Sequence, residues 1–225
     1  VGAVKVPSWP LLDSLPDAAR RDVLASARRR HFARGETVFR EGDPAESLHL
    51  VDTGIFAVQV SAAGGERLTL NVLTAGDFFG ELALLHSSPD GRRTATVLAL
   101  VPAETLAITA TTFNSLRSTH PEVAGLVVTA LAQRVEDLGL RLLEALYAGV
   151  DRRVYRRLLD LVGVYPTATG AVVLPLSQDD LATMVGAARP TVNQVLQKLV
   201  TRGVISLGRR QISIDDLTAL RALAR

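Results

Sequence analysis

The amino-acid sequence predicts an α+β fold in three successive parts: a β jelly-roll of about eight strands, one long helix, and a small helical module closed by a β-hairpin. Three patterns predict it. Turn residues recur roughly every eleven residues through the first half of the chain. Apolar residues then alternate four and three apart over residues 121–148, and two short amphipathic helices flank a glycine near the C-terminus.

From Leu11 to Arg30, the residues Leu11, Leu12, Leu15, Ala18, Ala19, Val23 and Leu24 read as short helical turns. From about Glu36 the pattern changes to short β-type runs: TVFR, SLHLV, IFAVQV, RLTLNVL, TATVLAL and TLAIT. Gly42-Asp43, Thr53-Gly54, Gly64-Gly65 and Gly76-Asp77 punctuate them, the spacing of an all-β sandwich or barrel. A helix is expected from Pro121 to Ala148. Its residues Ala124, Val128, Leu131, Val135, Leu138, Leu142 and Ala145 form the a/d seam of a coiled coil, which favours a parallel homodimer over packing within one chain. Gly149 interrupts the pattern as a hinge, a helix follows over Asp151–Val164, and Val172–Leu174 reads as a short strand. The domain boundaries implied are 1–120, 121–149 and 150–225.

Composition narrows the function. The 225 residues suffice for one large or two modest domains, and 48% are hydrophobic. No run of eighteen apolar residues suggests a membrane span, and VGAVKVPSWPLL lacks a secretory signal, so the sequence reads as cytoplasmic. Cysteine is absent, which excludes disulfides, thiolate zinc and cysteine-ligated iron–sulfur clusters. His31, His49, His86 and His120 are scattered without metal-ligand spacing, so no metal is expected. The net charge of +2 is uneven: residues 1–149 carry 14 Lys/Arg against 17 Asp/Glu (−3), and residues 150–225 carry 11 against 6 (+5). Polyanion binding is therefore expected of the C-terminal third.

Residues 76–97, GDFFGELALLHSSPDGRRTATV, carry the first site chemistry. Gly80 allows close backbone approach and opens a short helix at Glu81-Leu82. Arg93 suits bidentate recognition of phosphate oxygens, and Thr94 adds a hydroxyl donor. Glu81, an acceptor-only carboxylate, suits a ribose hydroxyl rather than a phosphate. In content and order the stretch resembles the phosphate-binding cassette of cyclic-nucleotide-binding domains.

Residues 177–199, SQDDLATMVGAARPTVNQVLQKL, carry the second. Ser177 with Asp180 forms a capping box, Gly186 makes the turn, and Pro190 lies near the start of the second helix. Val192, Val195, Leu196 and Leu199 face inward, leaving Arg189, Thr191, Asn193, Gln194 and Lys198 for the outer or flanking surface. This is helix-turn-helix spacing with donor-rich side chains on the exposed helix. VISLGRRQISI reads as a hairpin wing with Arg209-Arg210 at its tip, and Asp215–Arg225 as a capped helix with Leu217, Leu220 and Leu223 on one side.

A cassette-bearing β-roll, a long dimer helix and a winged helix-turn-helix, in that order, resemble the CRP/FNR family of bacterial transcription regulators over residues 10–214. The resemblance implies a homodimeric, sequence-specific regulator that binds double-stranded DNA at a two-fold symmetric site, works with RNA polymerase, and is gated by cyclic AMP or a similar small phosphorylated effector. It assigns Glu81 to the ribose and Arg93 with Thr94 to the phosphate. Two helix positions that contact adenine through hydroxyls in nucleotide-gated members are here Leu138 and Gly139, and neither can hydrogen-bond the base. Apolar Leu138 strengthens the dimer seam without ligand, whereas Gly139 costs about 1 kcal/mol of helix propensity. A member that binds DNA independently of nucleotide therefore stays open. On the DNA side, the resemblance makes Arg189 the reader of guanine O6 and N7. Pro190 and Gln194 replace other readers, so the half-site keeps a guanine but differs from TGTGA. Lys198, Arg209 and Arg210 are expected on phosphates. A regulatory subunit acting on a partner enzyme is the rival from another class. An enzyme in its own right is the weakest reading, because no Ser/His/Asp or paired-carboxylate set stands out.

Overall fold

The computed structural model describes residues 8–85, 91–165 and 172–225. The chain forms two compact units, Val1–Val60 with Asn71–Glu136, and Ser61–Leu70 with Asp137–Arg225. His86 and the expected loop around it lie outside the described residues.

The first unit opens with α1 (Pro10–Asp13) and α2 (Asp17–Ser26), then enters the β region with β1 (Arg28–Phe32), β2 (Thr37–Phe39), β3 (Ser47–Thr53) and β4 (Ile55–Ser61). It continues through β5 (Arg67–Thr74), β6 (Phe78–Phe79), the short helix α3 (Glu81–Leu85), β7 (Thr96–Ala99) and β8 (Ala103–Thr109). The strands form two four-stranded sheets, ordered β1-β8-β3-β6 and β2-β7-β4-β5. The expected jelly-roll of about eight strands is therefore present, and the glycines at 42, 54, 65 and 76 all adopt positive φ at its turns.

Strand β3 explains why this half of the sequence reads as continuous apolar runs. Leu48 and Leu50 face a core completed by Trp9, Leu12, Phe113 and Val123. Val51 joins the other core, with Phe56, Phe79 and Val97. A strand buried on both faces loses the apolar–polar alternation of a half-exposed one. Trp9 adds an indole N–H donated to the Val51 carbonyl at 2.8 Å, so the amphipathic ring is buried with its polar atom satisfied.

One expectation fails here. The helical reading to Arg30 stops at Ala27, whose extended backbone (ψ 142°) caps α2. Arg28–Phe32 is an edge strand, with residues 28–31 exposed. RRRHF buries a single side chain, so no apolar period marks it as β.

After α4 (Ala110–Thr119), capped by the Thr109 hydroxyl, α5 (Pro121–Tyr147) runs uninterrupted for 27 residues. Val123 and Val127 are buried in the first unit's core, and Leu131 packs against it. The expected seam is only partly single-sided. Val128, Val135 and Leu142 are 60–68% exposed, but so are Leu140 and Leu146, and Leu131 turns toward its own core. The C-terminal half of α5 is thus apolar around most of its circumference.

In the second unit, Gly149 caps α6 (Val150–Val164), which buries Val154, Leu158 and Leu161. Next come β9 (Val172–Leu174), α7 (Gln178–Val185), α8 (Arg189–Thr201), β10 (Ile205–Gly208), β11 (Gln211–Ile214) and α9 (Leu217–Leu223). The strands form an antiparallel sheet ordered β10-β11-β9. The capping box is present as expected: the Asp180 amide donates to Ser177 Oγ at 3.1 Å, and the Ser177 amide donates to Asp180 Oδ2 at 2.8 Å. Gly186 ends α7 in the left-handed region (φ 60°), and Val192, Val195, Leu196 and Leu199 are buried. Because Ser177 satisfies an otherwise orphaned helix amide, Ser177→Ala should lower unfolding free energy by about 1 kcal/mol in chemical denaturation.

Candidate ligand cassette and nucleic-acid interface

The cassette lies wholly in the first unit. Gly42 and Asp43 clamp the backbone of Arg93: the Gly42 amide donates to the Arg93 carbonyl, and the Arg93 amide to the Asp43 carbonyl, each at 2.9 Å. This fixes the direction of the side chain. Its Nη2 donates to the Ser47 carbonyl at 2.8 Å and its Nη1 to the Gly80 carbonyl at 3.1 Å. The guanidinium lies 3.9 Å over the Phe39 ring, a cation–π platform. Arg93 is only 5% exposed and its buried Nε has no hydrogen-bond acceptor. No carboxylate among the described residues reaches it within ion-pair distance, and burial presses its pKa downward.

Gly80 makes this approach possible. Its φ is 90°, and an added Cβ would stand 2.5 Å from Arg93 Nη1 and 3.0 Å from the Ser47 carbonyl oxygen. Glu81, 1% exposed, begins α3. Burial pushes its carboxyl upward while the Arg134 guanidinium pulls it back. Arg134 Nη1 donates to Glu81 Oε1, and Nη2 donates to the Phe78 carbonyl at 2.6 Å. Glu81 Oε2 is buried without a partner. Gly80, Glu81 and Arg93 are thus assembled in one place with two orphaned polar atoms, an acceptor and a donor. The residues present fit a ligand carrying both a hydroxyl and an anionic group.

Thr94 follows Arg93 on the exposed side of the loop, and Leu82 is 38% exposed. Leu138 and Gly139 lie on α5, one turn beyond Arg134, both exposed and in the second unit. Sequence reading missed Arg134, Ser47 and Phe39. None carries a local motif, because each comes from an element far from the cassette in the chain.

His49 joins the same network. Its Nε2 is 3.1 Å from Ser47 Oγ, its Nδ1 is 3.0 Å from Thr105 Oγ1, and its ring stacks on Phe79 at 5.0 Å. Burial foremost, then the Arg93 and Arg30 charges, depresses its pKa from 6.5 to about 3.

In the second unit, Arg189 occupies the first turn of α8 and is exposed, as are Gln194 and Lys198. Thr191 is half-buried. Asn193 lies on the flank: it is half-buried with Oδ1 wholly buried, since it sits beside the inward row of Val192 and Leu196. Lys198 Nζ is 2.9 Å from Asp151 Oδ2, which raises its pKa through that hydrogen bond. Gln197 and Arg202 are further exposed polar positions that sequence reading did not select. Arg209 and Arg210 form the exposed tip between β10 and β11, where Gly208 pairs with Gln211. Arg210 holds a left-handed backbone (φ 55°) that favours glycine.

Among the described residues no cluster of three or more His, Asp or Glu side chains could hold a metal, and no helix is long and apolar enough to cross a membrane.

A cassette-bearing β-roll, a long helix and a winged helix-turn-helix define a DNA-binding transcription regulator. Residues 29–120 match the cyclic nucleotide-binding domain and residues 152–223 the Crp-like helix-turn-helix domain. The chain is 32% identical to the HTH-type transcriptional regulator Cmr of Mycobacterium tuberculosis, over 92% of this chain and 81% of that one. It is 29% identical to the Cyclic AMP receptor protein of Thermus thermophilus, over 96% of both chains. A solved CRP/FNR-family regulator from Thermus thermophilus superposes with TM-score 0.74 at 25% identity, covering 88% of this chain and 98% of that one. The chain belongs to the CRP/FNR family of transcription regulators.

The His49 shift has a testable sign. The unfolded chain gains a proton near pH 6.5 that the folded chain refuses until about 3. Stability is therefore full above pH 6.5 and falls as pH drops through that window, by at most about 1.4 kcal/mol per pH unit. His49→Gln should flatten this acid-side slope in urea denaturation, whatever its effect on absolute stability.

Proposed function

We propose that the chain acts as a cytoplasmic homodimer, joined along α5, that reads a two-fold symmetric DNA site and works with RNA polymerase. Its effector is cyclic AMP or a similar small phosphorylated ligand. Residues 1–120 serve as effector domain, 121–149 as dimerisation helix and 150–225 as DNA reader. It is a regulator, not an enzyme.

The observation that carries the effector reading is Arg93, a cation almost wholly removed from water, with carbonyls and an aromatic face around it and a free Nε. Burying a charge without a direct ion pair is costly even with Asp43, Glu46 and Glu81 nearby, and a ligand anion would supply that pair. Arg93 and Gly80 would hold the phosphate, Thr94 would add a hydroxyl donor, and Glu81 would accept from the ribose. The relatives named cyclic AMP receptor and cAMP-activated regulator support the same ligand class.

The dimer reading rests on the exposed apolar residues of α5, among them Val128, Val135, Leu142 and Leu146. Apolar residues clustered in this way on an isolated helix signal an interface. In the DNA reader, Arg189 takes the base edge. The tip Arg209-Arg210 takes phosphate, and the strained backbone kept at Arg210 supports a functional role there. Lys198, engaged by Asp151, contributes less than the tip.

A second reading has an observation of its own. Both Nη atoms of Arg93 already donate to carbonyls, and Leu138 and Gly139 offer no hydrogen bond to a base. On that reading the DNA-competent state is populated without nucleotide.

Operator binding by fluorescence anisotropy separates the two. Gating predicts at least tenfold tighter binding with cyclic AMP, a coupling of about 1.4 kcal/mol, lost in Arg93→Ala. Equal affinity with and without nucleotide selects the ungated reading. In the same assay, Arg189→Ala should cost about 1–3 kcal/mol at its guanine position only, whereas Arg209→Ala should weaken all sequences and lower the salt slope by about 1. Leu142→Glu should shift sedimentation from dimer to monomer.

A further inference from the structure

The second unit contains a cavity of about 400 Å³ that the cassette and the DNA reader leave unused. Every residue lining it belongs to that unit. Leu68 and Leu70 of β5, Leu138 and Leu142 of α5, and Met184 of α7 supply an apolar wall. Thr69 is the one neutral side chain in the described lining with a hydrogen-bonding group, and its hydroxyl meets that of Thr183 at 2.9 Å. A sugar or a polyol would find little to recognise it.

The remaining wall is cationic. Arg141, Arg153 and Arg157 all line the cavity. Arg141 donates to the Leu70 carbonyl, and Arg153 Nη1 donates to the Val185 carbonyl at 2.5 Å. Arg157 is 8% exposed, and the Asp160 carboxylate stands 3.6 Å away with 63% of its side chain in solvent. Glu144, the other acidic lining residue, is engaged by Arg156 at 2.7 Å. The Nε atoms of Arg153 and Arg157 are both buried without an acceptor. Burial and then the like charge of Arg141 press the Arg157 pKa downward.

Three guanidiniums thus face one solvent-weakened carboxylate and one that is already paired, beside a cavity whose neutral lining is almost wholly hydrocarbon. Orphaned buried donors on a cation call for an anionic acceptor. The volume falls within the range of small-molecule sites, in which apolar contact supplies affinity and a few polar groups fix orientation. We propose that this cavity binds an amphipathic organic monoanion, an aliphatic or aromatic body ending in one acidic group, with the acidic group on Arg157 and Arg153 and the apolar body against Leu68, Leu138 and Met184. The site shares Leu138 and Leu142 with the seam of α5 but no residue with the cassette at Gly80, Glu81 and Arg93.

Decanoate, a simple aliphatic carboxylate, is the probe, titrated calorimetrically into the whole 225-residue chain. The expected result is saturable uptake of one decanoate per chain, with decylamine bound about tenfold or more weakly. Arg153→Gln and Arg157→Gln should each weaken decanoate about tenfold. Leu68→Trp, at a position 42% exposed and therefore tolerant of substitution, should fill the cavity and abolish uptake with an unchanged melting temperature. This variant keeps the test decisive if Arg157→Gln fails to fold. Arg93→Ala should leave decanoate binding unaltered. Absence of uptake, equal uptake of acid and amine, unchanged affinity in Leu68→Trp, or loss in Arg93→Ala would each overturn the proposal.

Discussion

A guanidinium almost wholly out of water survives in a fold only if polar atoms surround it, and Arg93 organises the first unit on that condition. The Gly42–Asp43 turn fixes its backbone, the Ser47 and Gly80 carbonyls take its Nη protons, and Phe39 lies beneath it. Each contact comes from a different part of the β-roll. The requirement that Gly80 lack a side chain follows from the same cation, since Arg93 fills the space a Cβ would need. These contacts offer hydrogen bonds and a π face, while the carboxylates of Asp43, Glu46 and Glu81 offset part of the burial cost from beyond ion-pair distance.

Glu81 poses the converse problem and is handled differently. Its partner, Arg134, comes from α5 and also holds the Phe78 carbonyl, so the carboxylate that opens α3 is tied directly to the long helix. A hydroxyl ligand accepted by the second oxygen of Glu81 would meet a group already fixed to α5. Leu138 lies one helical turn further along that helix. The carboxylate that opens α3 is therefore held by the same helix that carries the exposed apolar residues.

Much of this was legible in the sequence, for identifiable reasons. FGELALL and RRTATV read as a cassette because Gly80 and Glu81 are adjacent and Arg93 follows across one loop. The capping box, the Gly186 turn and the inward row of α8 read correctly because they depend on spacing within one or two helical turns. Arg134, Ser47, Phe39 and His49 were not legible, because their roles arise from pairing between distant elements and no local pattern distinguishes them. β1 was missed because RRRHF is an edge strand with one buried side chain. The α5 seam was read as a narrow stripe, yet Leu140 and Leu146 are as exposed as Leu142, since a heptad template cannot separate a helix with one apolar face from one apolar on most sides.

The proposal that the rest of the account depends on is that Arg93 holds the anionic group of a phosphorylated ligand. Calorimetric titration of nucleotide-stripped protein with cyclic AMP, with cyclic GMP as control and Arg93→Ala alongside, tests it most directly. Saturable cyclic AMP binding that disappears in Arg93→Ala, while the variant still melts cooperatively, is the predicted result. No heat and no thermal stabilisation up to millimolar nucleotide, or binding that persists in Arg93→Ala, would contradict it.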